Sequence, residues 1–287
     1  MMQLNTIIQT NSNSNILSIV IHIYNNQEVL NLQTKCWQKW ASIQNLELIL
    51  IDDGSNPKLD FSAIPPWVKK IRISSDIAWN QPGAKNLGAR LSSGSWLFFI
   101  DADQFFNAND ILNLTSKLIE FEHNTIYRFK RRCSKTGREL DIHQNCQLIS
   151  KQDYESFGGY DEDFAGNYGH EDAYFERLWK FKGGKIVVLN EPCLSDLSEL
   201  RTTGLNRNDR SNELLRRRKI RYWHIMSNPI GRIILASPLM VNLLIKIKLI
   251  ANGKPTKQIR FYWEECWCNW FMLCSVYFFS QFFQYLL

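Results

Sequence analysis

The sequence predicts an α/β fold: an open, largely parallel sheet with helices on its faces. Three observations carry this. Short apolar runs recur along the chain, and segments with helical apolar spacing separate them. Two of the runs, at 46–51 and 96–100, also discharge into acids, Asp52-Asp53-Gly54-Ser55 and Asp101-Ala102-Asp103. A continuous apolar run suits a strand buried on both faces, as in parallel sheets. Repeated strand–helix units of one polarity imply right-handed crossovers and a ligand crevice above the carboxyl edge of the sheet.

The elements follow in order. Residues 1–15, rich in Asn, Gln, Ser and Thr, read as a disordered leader without the apolar core of a signal peptide. Residues 16–23 (ILSIVIHI) form a first strand, which Tyr24-Asn25-Asn26 ends. Val29, Leu32, Cys36, Trp37 and Trp40 recur at helical spacing, and their tryptophans are expected in the core. The second strand, 46–51, runs into Asp52 and Asp53, and 69–73 is a short third strand. Asn80-Gln81-Pro82-Gly83 turns into a helix through Ala84, Leu87, Ala89 and Leu91. Then comes WLFFIDAD, 96–103, around which the chain is organised. Ile111, Leu114, Leu118 and Phe121 mark a further helix, and 125–130 and 146–150 two more strands. The polar, basic loop between those strands, 131–145, is long enough to suggest mobility or function. A block dense in glycine, aromatics and acids, GGYDEDF at 158–164 and GNYGHED at 166–172, precedes a helix over 173–181.

Charge divides the chain. Residues 1–200 hold 20 Lys and Arg against 24 Asp and Glu, whereas residues 201–287 hold 14 against 4. An acidic body with a basic, aromatic tail points to an anionic surface as the tail's partner, and not to nucleic acid. The seven cysteines are scattered without a CxxC pair, so reduced thiols are the default.

Two acids at a strand end are costly to bury without a cation, a hydrogen-bond network or solvent. A divalent metal shared with a diphosphate would satisfy Asp101 and Asp103 together, since hard cations prefer oxygen ligands. The alternative is a turn that caps the helix near Ile111. Glu171 and Asp172 stand at a helix start, where the dipole is expected to keep a carboxylate ionised and able to act as a base. Their alternative reading is an N-terminal cap within a surface acid cluster.

With the first strand, Asp52-Asp53-Gly54-Ser55, Gly83-Ala84-Lys85-Asn86-Leu87-Gly88 and Asp101-Ala102-Asp103 in that order, the chain resembles family-2 glycosyltransferases of the GT-A fold. The GGYDEDF and GNYGHED block resembles the second half of the catalytic domain in galactosyltransferase- and chondroitin-polymerase-like members. The resemblance covers residues 16–200. It implies a Rossmann-like mixed sheet flanked by helices, with 201–287 as a basic, aromatic, helical and membrane-associating extension.

Residue by residue, the resemblance implies that His22 and Tyr24 line the nucleobase and that Asp53 hydrogen-bonds its edge. Lys85 and Asn86 would lie near the donor. Asp101 and Asp103 would hold Mn²⁺ or Mg²⁺ on the diphosphate. Tyr168, with Gly169, would meet the acceptor sugar, Asp172 would be the catalytic base of an inverting transfer, and Glu171 would bind sugar hydroxyls. Related enzymes often add a His to the metal shortly after the next strand. Here residues 191–199 carry none, leaving Asp196 as a substitute oxygen ligand, with His170 or His224 as others that could reach in.

In the tail, Arg216-Arg217-Arg218-Lys219 would attract phosphate groups if exposed near a bilayer. Residues 229–250 are apolar, but Arg232, Lys246, Lys248 and Pro238 make them a poor spanning helix. Residues 266–287 hold no charge and fit an interfacial helix, a spanning one or a buried one. The expected activity is transfer of a sugar, from a UDP-sugar or similar donor, to a glycan or lipid-linked acceptor at the cytoplasmic face of a membrane. The alternative is a non-catalytic relative that binds glycan or aids assembly.

Overall fold

A computed structural model describes residues 15–196, 202–256 and 263–265. The expected leader and the 266–287 segment lie outside the described residues. The first half of the chain alternates strand and helix: β1 (Leu17–Ile23), α1 (Gln27–Gln38), β2 (Leu46–Asp52), β3 (Lys69–Ile73), α2 (Gln81–Leu91) and β4 (Trp96–Asp101). The second half adds β5 (Gln104–Phe105), α3 (Ala108–Ser116), β6 (Thr125–Cys133), β7 (Glu139–Leu140), β8 (Gln147–Ser150), α4 (Lys151–Phe157), α5 (Glu171–Phe181) and β9 (Lys185–Asp196). The helices α6 (Arg210–Ser227), α7 (Pro229–Ala236) and α8 (Pro238–Lys246) follow, and β10 (Trp263–Glu265) closes the described chain.

One mixed sheet runs β10-β3-β2-β1-β4-β8-β6-β9-β5, with β7 a hairpin partner of β6. Strands β3, β2, β1 and β4 are parallel, while β8 opposes both β4 and β6. Alternation along each central strand feeds two cores. On β4, Trp96, Phe98 and Ile100 join Leu30 and Trp37 of α1 and Ile111 of α3 on one face. Leu97 and Phe99 join Ala84 and Leu87 of α2, Tyr154 of α4 and Phe175 of α5 on the other. The approach of α2 to the sheet is close: a Cβ on Gly88 would lie 2.3 Å from Val20 Cγ1. Both tryptophans of the first helical pattern, Trp37 and Trp40, are core, as expected.

Helix α4 is not among the elements that apolar spacing predicts. Its signal is a capping pattern: the Ser150 hydroxyl accepts from Asp153 N, and Gly158 ends the helix at φ +99°. The tail is helical as expected, but it also returns to the sheet, where β10 pairs antiparallel with β3 at the edge. Leu215, Ile220 and Trp223 of α6 pack on Phe164, Tyr174 and Leu178, joining α6 to α5 and the turn before it.

Candidate active site

The chain leaves β1 for β2 and β3 on one side and crosses to β4 on the other, so the switch point of the sheet lies between β1 and β4. A ligand crevice belongs above the carboxyl ends of such strands. The register puts His22 directly beside Asp101 there. A cavity of about 430 Å³ opens at this edge, reaching from Asp53 and Asn80 past Asp101 and Asp103 to Trp79 and Tyr168. Residues 202–207 form part of its wall: the Thr202 hydroxyl donates to Tyr24 O at 3.0 Å, and Arg207 lies over the Trp79 ring.

The Asp52-Asp53 pair divides its roles. Asp52 is fully buried and accepts from Ser55 N at 2.9 Å and from Arg72, which fixes the turn. Asp53 faces the cavity and accepts from the Asn80 amide at 2.8 Å. Burial pushes its carboxyl up to about 7, against the lowering effect of Asn80. Tyr24, also lining the cavity, donates to Asp76 at 3.2 Å.

Asp101 ends β4 with its carboxylate 3.4 Å from Lys85 Nζ and 3.3 Å from His143 Nδ1. No Lys or Arg stands near this acid in sequence, and both cations come from distant parts of the chain. Burial alone would raise its pKa, yet Lys85, His143 and His22 outweigh burial and hold it at about 2. Lys85 itself is fully buried behind the cavity wall and also donates to Asn145 O at 3.3 Å. His22 is held down to about 4, by burial first and then by Lys85, so its imidazole is neutral at neutral pH. Asp103 lines the same cavity two residues on.

His143 was not singled out in the sequence. The signal was the basic loop 131–145, flagged for its length, which delivers His143 to the cavity and Cys146 beneath it. Asp101, His143 and Cys146 place potential ligand atoms within 4.8 Å of one another. The Cys146 thiol donates to Gln104 Oε1 at 3.0 Å, and burial pushes its pKa well up, so it stays a thiol. The donor set for a cation is therefore carboxylate and imidazole, a mixed oxygen and nitrogen set that a divalent ion such as Mn²⁺ accepts. Of the other histidines weighed for this role, His170 contacts Asp209 at 3.1 Å and His224 packs edge-on to Phe181, and neither lines the cavity. The Asp196 backbone pairs with Gln104, next to Asp103, while its side chain lies outside the described part.

The remaining expected residues fall into two groups. Tyr168 lines the cavity and packs on Trp79 with ring centroids 4.6 Å apart, an aromatic wall that the sequence reading found only in half. Asn86 is not brought to the cavity. Its amide donates to Tyr160 O and Glu162, and its carbonyl accepts from Tyr154 Oη and Tyr160 N, so its polar groups brace the turn at 158–162. Gly159 makes room for it, since a Cβ there would lie 2.6 Å from Asn86 Oδ1. Gly169 turns at φ +79°, and its carbonyl accepts from Asn212 of α6. Glu171 and Asp172 open α5 beside this group, close enough for Asp101 and Lys85 to act on the Glu171 carboxyl. The dipole does not keep Glu171 ionised, as the sequence reading expected. Burial and then Asp172 raise it to about 7.

Four buried polar atoms around the cavity have no hydrogen-bond partner among the described residues: His22 Nδ1, Asn80 Oδ1, Gln81 Nε2 and Asn145 Oδ1. These atoms lie within the cavity wall, so the wall holds polar groups that the protein itself leaves unpaired.

Known proteins resemble this chain. A Haemophilus influenzae protein described as an uncharacterized glycosyltransferase is 35% identical over 104 residues, which are 35% of this chain and 40% of that protein. A Rickettsia bellii protein of the same description is 30% identical over 132 residues, 44% of this chain and 18% of that one. The matched stretch thus spans less than half the length of either relative. Among solved structures, the mannosyltransferase PcManGT from Pyrobaculum calidifontis, in complex with GDP-Man and Mn²⁺, superposes with a TM-score of 0.50 at 15% identity. That match covers 74% of this chain and 63% of the other, and it identifies the fold as GT-A. Residues 18–170 match the family model described as glycosyl transferase family 2, more than half of the chain. The chain belongs to glycosyl transferase family 2.

Proposed function

We propose that this chain transfers a hexosyl or N-acetylhexosaminyl group, with inversion, from a nucleoside-diphosphate sugar to a glycan or lipid-linked acceptor. The observation that carries the reading is a cavity at the carboxyl edge of the sheet with Asp53 at one end and Asp101, Asp103 and His143 at the other. Asp53 and Asn80 suit a base edge, which needs one acceptor and one adaptable amide. Asp101, Asp103 and His143 would hold a divalent cation, which supplies charge neutralisation for the departing diphosphate. PcManGT was solved in complex with GDP-Man and Mn²⁺, a nucleotide sugar and a divalent metal together on the same fold, which supports this donor class.

The protein's own groups do the rest. Lys85 keeps Asp101 ionised at any neutral pH. Trp79 and Tyr168 offer apolar ring faces to a sugar, and Asp172 at the head of α5 is the group we assign to deprotonate the acceptor hydroxyl. Glu171, titrating near neutrality, would share hydrogen bonds with sugar hydroxyls in either protonation state. The alternative of a non-catalytic relative drew weight from the absent histidine after β9. His143 beside Asp101 offers an imidazole in its place, which supports the catalytic reading.

The test is nucleoside-diphosphate release from a panel of UDP-, GDP- and dTDP-sugars with Mn²⁺, Mg²⁺ or EDTA. Turnover of one donor, lost in EDTA, is expected. Asp172→Asn should lower turnover by about 10³-fold or more while leaving donor affinity within a few-fold, as loss of a base does. Full activity in that variant would remove Asp172 from the role, and no donor binding at all would favour the non-catalytic reading.

A further inference from the structure

Helices α7 and α8 are almost wholly apolar, yet the structure leaves much of them uncovered by the described residues. Ile230, Ile233 and Leu239 are 69%, 74% and 81% exposed, and Leu243 and Ile247 also face outward. The two helices meet at Ser237-Pro238 with a bend of 93°, and no single helix among the described residues is long and apolar enough to cross a membrane. A surface helix of a soluble domain presents its apolar stripe to the core. Here the stripe is turned the other way.

The V is fixed to the body of the protein. Gly231 is buried where a Cβ would lie 2.0 Å from Ile225 O, so α7 seats directly on the end of α6. At the other end, the Arg221 guanidinium donates to Leu249 O at 2.6 Å, and Ile250 is buried. Helix α6 in turn holds the turn that carries Tyr168 and Gly169, through the Asn212 amide donating to Phe164 O, Asn167 O and Gly169 O. The apolar ridge therefore has a set orientation relative to the cavity.

Charge identifies the occupant. From residue 214 to residue 263 the sequence contains no Asp or Glu and eleven Lys and Arg. Arg232, Lys246 and Lys248 stand exposed on the two helices and just past the second, with long stems beside the exposed leucines and isoleucines. Apolar side chains that enter the acyl boundary, rimmed by cations at headgroup level, match an anionic bilayer.

We propose that α7 and α8 form a monotopic membrane-docking element that inserts its Ile230–Ile233–Leu239 ridge into the interface of an anionic bilayer. It lies wholly apart from the cavity residues, so it stands whatever sugar is transferred.

The experiment is co-sedimentation of the full chain with vesicles of phosphatidylcholine alone or mixed with phosphatidylglycerol. Binding to the mixed vesicles, weakened by salt and in phosphatidylcholine alone, is expected. The triple variant Ile230→Glu, Ile233→Glu, Leu239→Glu should lower the partition coefficient by about tenfold or more. Its melting temperature and its nucleoside-diphosphate release should be unchanged, because the described residues leave the three side chains largely exposed. Arg232→Glu with Lys248→Glu should give a smaller, salt-sensitive loss on mixed vesicles only. Equal binding by the triple variant would overturn the proposal and move the anchor elsewhere in the chain. So would a wild-type protein that ignores vesicles, or one whose self-association, rather than vesicle binding, is lost in the triple variant.

Discussion

Among the described residues two lysines are fully buried, Lys85 and Lys219, and each lies against a tyrosine ring, Tyr160 and Tyr174 respectively. Their surroundings differ in one respect. Lys219 Nζ is 2.8 Å from Asp161 and 2.7 Å from Asp163, and it also donates to Asn252 O at 2.9 Å. Asp163 is further held by Thr256, through its N–H and its hydroxyl. The two carboxylate contacts of Lys219 are short, a longer bond of 3.3 Å reaches Lys254 O, and none of these groups lines the cavity. Lys85 sits at 3.4 Å from Asp101 and 3.3 Å from Asn145 O, beside a cavity that Asp101 and Asn145 both line. One charge network is closed and the other open. A buried ion pair stabilises only when its geometry and remaining hydrogen bonds are complete, so the closed network is architecture. The open one keeps an acid ionised where a ligand needs it, which is function.

Removing Lys219 should produce the larger effect on stability. Lys219→Met leaves Asp161 and Asp163 buried without their cation, and the cost should be about 3–5 kcal/mol. Chemical denaturation would measure it, with activity falling as the 161–169 turn loosens. Adding Asp161→Asn and Asp163→Asn to that variant should return part of the loss, since the unpaired charges, not a missing contact, carry the penalty. If the triple variant is no better than Lys219→Met, the network is not a closed one.

Lys85→Met tests the other side. Asp101 keeps His143 as a neighbour and borders the cavity, so the stability cost should be smaller, about 1–3 kcal/mol. Metal-dependent turnover should fall by about 10²-fold or more, because Asp101 loses the strongest of the charges that keep it ionised. Mn²⁺ titration would show weaker binding, and the loss should deepen towards acid pH. Equal destabilisation by Lys85→Met and Lys219→Met would erase the distinction between the two networks.

The same contrast separates what the sequence made legible from what it hid. Strands β1, β2 and β4 were readable because their neighbours are other apolar runs of the same kind, and the acids at their ends had to reach the carboxyl edge of the sheet. Asp53, Asp101 and Asp103 followed from that placement. Lys219 was read as part of an exposed basic run, since nothing in Arg216-Arg217-Arg218-Lys219 reveals two aspartates more than fifty residues away. His143 was hidden for the same reason, being brought to Asp101 by a loop whose path depends on β6 and β8. Asn86 was misplaced in role because its partners at 154–162 lie across a helix that the sequence pattern did not reveal. The exposure of α7 was equally invisible: an apolar run looks the same whether it is covered or not.

The effect that reads the open site most directly is on pH dependence. Asp53 and Glu171 both titrate near 7 in the folded protein, above their ordinary values of 3.8 and 4.5. The native state therefore binds these protons more tightly than the unfolded chain, and stability from both groups falls as pH rises from about 4 to about 7. His22 opposes them: lowered from 6.5 to about 4, it adds stability as pH rises through that interval. Asp101, lowered from 3.8 to about 2, matters only below it. Asp53→Asn deletes one falling contribution without touching the rising one. The variant should gain stability relative to wild type between pH 4 and pH 7, and no further above pH 7. The gain should reach a few kcal/mol, since each tenfold difference in proton affinity between the folded and unfolded states is worth about 1.4 kcal/mol. Denaturant melts across that range measure it. Donor affinity supplies a second readout: if ionised Asp53 accepts from a base N–H, affinity in the wild type climbs through pH 7, and in Asp53→Asn it should be flat. A climb that survives the substitution would assign the titration to Glu171 instead, and would place the pH-sensitive end of the site at the head of α5.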